Sequence, residues 1–328
     1  SLCPGLRSTE AYGKFQARKF NGRNRDLRLA LIGDIHLYSL SVRPRQLLGK
    51  RLLGQTNLWL NRRHRFNHRM LGRVIEKVEA IEPELVLFSG DVTTTSLHDE
   101  FTDVERYIKP LAAKFPVLVV PGNHDRYTFR SSRKRRMENV LSQVMPAEFP
   151  HLRKLTDRWH LMGLDSAIPQ VFLSRGALGG PQLRRIEKAL ERYTEDDGLV
   201  VLCHYPVAMP AGLPRSWTHD LAEGQRLRRM LEQCPAKVVF MHGHVHKPWY
   251  ARPDGRDHLP FTCINAGSPC LTSEEFPLGQ GFWEITLPQD PSDDLSLTHH
   301  VLEPQRDPAA EPGTDAEHLD RAAQPQPA

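Results

Sequence analysis

Short runs that close apolar stretches carry most of the chemistry this 328-residue sequence could perform. Asp34 and His36 stand in "GDIH", Asp91 in "GD", Asn123 and His124 in "GNHD", His204 alone after "VVLC", and His244 and His246 in "GHVH". Carboxylates, a carboxamide and imidazoles make a set of oxygen and nitrogen donors with no sulfur. Such a set suits manganese, iron or zinc in an open, reactive site better than calcium or a closed structural zinc cage. There are enough groups for two dications, with one left over to handle a proton.

These residues can meet only if the elements before them run side by side. "LRLALIG" (27–33), "ELVLFSG" (84–90), "FPVLVVPG" (115–122), "LVVLC" (199–203) and "AKVVFM" (236–241) have strand length and predict buried strands. Between them Met70, Leu71, Val74, Ile75, Val78 and Ile81 recur at helical spacing until Pro83. Leu183, Ile186 and Leu190 do the same after Gly180 and Pro181, and a third helix is expected over 219–233. Strands alternating with helices predict an α/β fold, in which ligands gather outside the carboxyl ends of the strands. Beyond residue 245, "FTCIN", "GFWEITL" and "LSLTHHVL" predict antiparallel strands joined by turns.

Composition narrows the class. A chain that is 39% hydrophobic with mixed charges buries a large core and is not a disordered polymer. It holds no run of 18 apolar residues, and residues 1–28 lack the apolar segment of a secretory signal, so a soluble protein is expected. The five cysteines are far apart and form no CxxC pair, which argues against a disulfide framework and a thiolate metal site and predicts a reducing, cytoplasmic setting. The formal net charge of +5 is unevenly spread. No acidic residue lies between Asp34 and Glu76, where nine Lys or Arg fall, and "RYTFRSSRKRR" fills 126–136. Such fields attract a small anion, a nucleic acid or an acidic membrane surface. From 303 onward Pro, Ala and charge dominate, predicting a flexible tail. The expected plan is an N-terminal extension (1–26), a main domain (27–302) with an insertion (41–69), and the tail (303–328).

The ordered series D-x-H, G-D, G-N-H-D, H and G-H-x-H, followed by "INAGSP" from 264, resembles the calcineurin-like metallophosphoesterases across 27–302. The resemblance implies two mixed β-sheets packed as a sandwich and flanked by helices. It implies a hydrolase with two divalent ions, manganese ahead of iron or zinc. Asp34, His36 and His246 would hold one ion, Asn123, His204 and His244 the other, and Asp91 would bridge them. Two such ions, ~3.5–4 Å apart, neutralise the oxygens of an anionic phosphoester and supply hydroxide near neutral pH. His124 has no ligand role in the pattern and is placed to protonate the leaving oxygen. Asp125 is the adjacent candidate to orient it. Strand alternation puts His242 on the same face as His244 and His246, behind the ligands or simply in the core. His68, His98, His151 and His160 are expected to be solvated or satisfied in the core, and Asn265 with Gly267 to form a turn after a strand.

The resemblance implies an anionic phosphoester as substrate. Protein Ser/Thr phosphatases of the superfamily would show GDxxDRG and GNHE, whereas this chain reads "GDVTTTS" and "GNHD". The insertion 41–69 mixes Leu47, Leu48, Leu52, Leu53, Leu58, Trp59 and Leu60 with arginines. It reads either as a helix packed on the core or as an interfacial segment that meets anionic headgroups at the inner membrane face. "YPVAMPAGLPRSW" (205–217) would form the opposite wall of the mouth. These features point to a lipid-linked substrate, as in the similar UDP-diacylglucosamine pyrophosphohydrolases. The alternatives are a cyclic-nucleotide phosphodiesterase and a non-catalytic membrane-binding module on the same fold. Nucleic acid is disfavoured because "SRKRRM" lacks interleaved aromatic platforms. Nothing in the sequence specifies an oligomeric state.

Overall fold

The computed structural model describes residues 25–38, 65–170, 174–210, 220–253, 255 and 259–302. The expectations for the N-terminal extension up to 24, for 41–64 of the insertion, for 211–217 of the mouth loop and for the tail lie outside those residues.

Every run predicted to be a strand forms one: β1 (Leu27–Ile32), β2 (Leu85–Phe88), β3 (Val117–Val119), β6 (Gly198–Leu202) and β7 (Lys237–His242). The sequence reading does not pick out β4 (His151–Lys154), β5 (Trp159–Gly163) or β8 (Trp249–Ala251); β4 and β8 are short and partly exposed, whereas β5 is almost wholly buried. β9 (Thr262–Asn265), β10 (Phe282–Leu287) and β11 (Ser296–His300) close the described chain. The sheets run β11-β10-β1-β2-β3 and β4-β5-β6-β7-β9-β8. β1, β2 and β3 are mutually parallel, as are β5, β6, β7 and β9. The expectation that all late strands are antiparallel is corrected at β9, which pairs parallel with β7 and antiparallel only with β8. A strand's direction depends on which neighbour it meets in space, and the local run "FTCIN" holds no information about that.

The strands read as continuous apolar runs because both faces are covered. Leu27, Leu29, Leu31, Leu85, Leu87 and Leu118 of one sheet meet Leu161, Val200, Leu202, Val239 and Met241 of the other in a core between the sheets. The alternate residues Ala30, Ile32, Val86, Phe88, Val117 and Val119 face outward under helices α1 (Arg69–Ala80) and α2 (His98–Lys114). On the far side Leu199, Val201, Val238 and Phe240 lie under α5 (Gly179–Leu190) and α6 (Gly224–Glu232). After the turn that follows β3 come two short helices, α3 (Phe129–Arg133) and α4 (Arg136–Val140), the second of which contacts α2. The third expected helix is thus shorter than 219–233. α2 is absent from the sequence reading; it runs on through Pro110, and Phe101, Val104, Ile108 and Leu111 form a buried stripe that holds it. The result is an α/β fold of two mixed sheets packed as a sandwich and flanked by helices, with the carboxyl ends of β1, β2, β3, β6 and β7 pointing the same way.

Candidate metal centre

The turns after those five strands bring Asp34, His36, Asp91, Asn123, His124, His204, His244 and His246 to one place. Two donor clusters result, Asp34, His36, Asp91 and His246 in one, and Asp91, His204 and His244 in the other. Asp91 belongs to both. In the first, His36 Nε2 lies 2.8 Å from His246 Nε2, His246 Nε2 lies 3.2 Å from Asp34 Oδ2, and His36 Nε2 lies 3.7 Å from Asp91 Oδ2. In the second, Asn123 Oδ1 is 3.0 Å from both His204 Nε2 and His244 Nδ1, and His204 Nε2 is 3.5 Å from Asp91 Oδ2.

The backbone bends sharply to do this. His36 (φ 52°), Asp91 (φ 49°), His244 (φ 72°) and His246 (φ 54°) all adopt left-handed backbone. Each such residue costs about 1–3 kcal/mol and persists where surrounding structure enforces it. The motif glycines make room. A Cβ on Gly243 would meet Asp34 Oδ1 and Ser89 Oγ, and one on Gly122 would meet the backbone and carboxylate of Asp91. "GHVH" and "GNHD" therefore begin with glycine because a carboxylate occupies the space a side chain would need.

Hydrogen bonds settle which ring nitrogen faces the clusters. His204 Nδ1 lies 2.9 Å from the Ser89 carbonyl, which can only accept, so Nδ1 carries a proton and the Nε2 edge faces the second cluster. His124 Nδ1 lies 2.6 Å from the Thr94 carbonyl, so its Nε2 edge is likewise directed away from that contact. The expectation that Asp125 orients His124 is corrected here. Its carboxylate accepts from the backbone N–H of Gly122, Val92 and Thr93 and from the Thr93 hydroxyl, tying the turn after β3 to the turn after β2. Adjacent side chains diverge, and Asp125 serves the backbone instead.

Burial and charge act together on the acids. Burial pushes Asp34 up, against the pull of His246 and His204. Burial also works to raise Asp91, but His204, His124 and His36 outweigh it and hold that carboxyl well below its usual range. For His204 burial opposes protonation, yet the Asp91 and Asp34 carboxylates lift it to about 9. Burial and then the Asp91 charge push Asp125 up to about 7. Cations fit this environment. Asp34 Oδ1 is buried and accepts no hydrogen bond from the described residues, and two imidazole nitrogens approach each other with carboxylate oxygens beside them. Three kinds of side-chain donor, carboxylate, carboxamide and imidazole, around a polar, buried focus suit dications of the manganese, iron or zinc type.

Several supporting residues escape a motif search. His68 Nε2 lies 3.1 Å from the His36 carbonyl, and Phe66 packs its ring 5.1 Å from that of His36. Ser268 donates its hydroxyl to the Asp34 carbonyl at 2.6 Å, which explains "INAGSP": this segment stitches the end of β9 to the end of β1. Asn265 and Gly267 form the expected turn, and the Asn265 amide also donates to the Gly243 carbonyl at 2.7 Å. His242 is fully buried, its Nδ1 3.1 Å from the Asn265 amide and 2.9 Å from the Gly243 carbonyl, so it supports the ligand turn from behind. The second basic run divides. Arg126 sits half-buried between Glu138 and Asp165, Arg136 donates to the Ser96 carbonyl, and Arg130, Arg133, Lys134 and Arg135 are exposed.

Fold and donors together define a metal-dependent phosphoesterase. The chain belongs to the calcineurin-like phosphoesterase family, which matches residues 27–248. It is 29% identical over 271 residues to the 3',5'-cyclic adenosine monophosphate phosphodiesterase CpdA of Pseudomonas aeruginosa, covering 80% of this chain and 86% of the relative. It is 30% identical over 175 residues to a probable glycerophosphodiester phosphodiesterase, GpdQ, of Arcobacter nitrofigilis, covering 51% of this chain and 58% of that protein. Among solved structures, a dimetal phosphatase from Danio rerio superposes with a TM-score of 0.53 at 13% identity, over 84% of this chain and 99% of that one. The purple acid phosphatase PPD1 from yellow lupin seeds gives 0.54 at 14% identity, over 85% of this chain and 52% of that one. These likenesses speak for the fold. The reading as a non-catalytic module falls away, since the chain is a phosphoester hydrolase with donor clusters for two metals. No helix among the described residues is long and apolar enough to cross a membrane.

Proposed function

We propose that this protein hydrolyses a phosphodiester, with a cyclic nucleotide as the leading substrate class. The observation that carries the reading is Asp91, one buried carboxylate within reach of both donor clusters. In this reading Asp34, His36 and His246 hold one ion, Asn123, His204 and His244 the other, and Asp91 both, with manganese as the first choice. Bound there, the ions would neutralise the phosphoryl oxygens and lower the pKa of a water nucleophile.

The chain's own residues supply the rest. Asp34 and Asp91 bring negative charge that offsets the repulsion between two dications. Ser89 and Thr94 set the tautomers of His204 and His124 through their carbonyls. His124 is half-buried, belongs to neither donor cluster and would carry the proton to the leaving oxygen. An alkyl ester suits such a group because its departing alkoxide is a strong base and needs a proton. The similarity to a cyclic-AMP phosphodiesterase over 80% of the chain supports a cyclic substrate. The expectation of a lipid-linked pyrophosphate draws on 41–69, of which only 65–69 lies among the described residues, and the names of the relatives lend it no support.

The test is a comparison of kcat/KM for Mn²⁺-loaded protein on 3',5'-cyclic AMP, a glycerophosphodiester, bis-p-nitrophenyl phosphate and p-nitrophenyl phosphate. Diesters are expected to exceed the monoester by at least about 10-fold, a difference of about 1.4 kcal/mol in transition-state stabilisation. A monoester turned over faster than every diester would overturn the reading.

A further inference from the structure

We infer that Thr94 is a positioning residue that locks the backbone of His36 and the side chain of His124 into one frame. The inference rests on the roles proposed above for those two histidines. "TTTS" follows the "GD" motif and matches no pattern of catalytic residues, yet each of its threonines is committed. Thr94 uses all its polar groups across the site: its N–H donates to the Leu37 carbonyl at 2.9 Å, its hydroxyl to the His36 carbonyl at 2.7 Å, and its own carbonyl accepts from His124 Nδ1 at 2.6 Å.

The frame is stiff because its neighbours are pinned. Thr93 donates both N–H and hydroxyl to Asp125 at 2.9 Å. Thr95 donates both to Glu100 at 2.9 Å, and Leu97 N–H donates to the same carboxylate at 3.0 Å. Asp125 and Glu100 are buried, so each carboxylate is surrounded by donors and not by water. Thr94 therefore cannot move without breaking bonds on both sides. What it holds is a residue in left-handed backbone, His36, whose carbonyl takes the Thr94 hydroxyl and His68 Nε2. The His36 and His124 rings stand edge to face with centroids 4.7 Å apart. One residue thus sets the spacing between a metal-binding imidazole and the group that handles the proton.

Thr94→Val keeps the shape and the carbonyl but removes the hydroxyl donor. Titrating Mn²⁺ into metal-stripped protein is expected to show binding weakened by about 10-fold, the usual scale for a partner behind a ligand. Thr94→Ser, which restores the donor, is expected to recover the affinity. In the metal-free wild type, nitrogen NMR is expected to find neutral His124 protonated on Nδ1. Wild-type affinity in the valine variant, no recovery in the serine variant, or His124 protonated on Nε2 would each overturn the inference. The NMR result decides even where the valine variant does not fold. Should His124→Ala turn over alkyl and p-nitrophenyl diesters at wild-type rates, the proton-donor reading fails, while the Mn²⁺ titrations still judge the Thr94 hydroxyl.

Discussion

Both donor clusters take ligands from left-handed turns, His244 included, but two of their histidines are held differently: His36 through polar contacts to its backbone, His204 close to a strand end and among packed rings. His36, Asp91 and His246 all have positive φ, and the His36 carbonyl needs donors from Thr94 and His68 to stay in place. His204 lies two residues past the end of β6, reaches Ser89 through one hydrogen bond, and has the Tyr205 ring 5.2 Å from its own. The Tyr205 ring also lies 4.3 Å from that of His244, and its hydroxyl donates to the Ser174 carbonyl. A ligand at a strand end takes much of its geometry from the sheet. A ligand on a turn has to be held by polar contacts of its own, and those contacts become places where the site can be weakened.

Asp91 is where the two constructions meet, so its loss should be the most damaging change. Asp91→Asn is expected to lower turnover of bis-p-nitrophenyl phosphate by more than about 100-fold, beyond the upper scale for a supporting partner. Metal analysis should find less than two ions per chain; full metal content with full activity would refute the sharing of Asp91 between clusters.

A matched pair probes the contrast between turn and strand end. His68→Leu removes a donor from the His36 carbonyl and is expected to weaken Mn²⁺ binding by about 10-fold. Tyr205→Phe keeps the ring against His204 and His244 and loses only the bond to Ser174, costing about 1 kcal/mol of stability with metal affinity retained. Calorimetric titration and thermal melts of both variants measure the difference, and a larger loss of metal affinity in Tyr205→Phe would invert the comparison.

The smallest effect lies outside both clusters. Burial, followed by the Arg153 charge for His151 and the His300 charge for His299, pushes these histidines from the ordinary 6.5 to about 4. Between those values the unfolded chain binds protons that the fold refuses. Their contribution is complete above 6.5 and declines as pH falls toward 4. Melting temperature is expected to drop over that window, less steeply in His151→Gln. A melting temperature that rises on acidification in the wild type would contradict the assignment.

Much of the site is legible in the chain because ligand chemistry is carried by residue type and order. Asp34, His36, Asp91, Asn123, His204, His244 and His246 stand out as polar donors closing apolar runs, and the structure brings all of them together. What escapes such a reading are residues with ordinary side chains acting through backbone. Thr94, Ser89 and Ser268 look like turn residues, and His68 reads as a bland surface or core histidine. Their roles rest on contacts between Thr94 and His124 or between Ser89 and His204, far apart in sequence.

The pattern of residues determined the donor set, its attachment to strand ends, and the alternation that sends Leu29 and Leu31 to one core and Ala30 and Ile32 to the other. Side-chain chemistry and the two-residue period of a strand are local properties, readable without coordinates. Only the tertiary structure decided that β9 lies parallel to β7, and that Asp125 clamps backbone while a threonine carbonyl orients His124. Those outcomes depend on which distant segments become neighbours when apolar surface is buried, and on the demand that each buried polar group find a partner there.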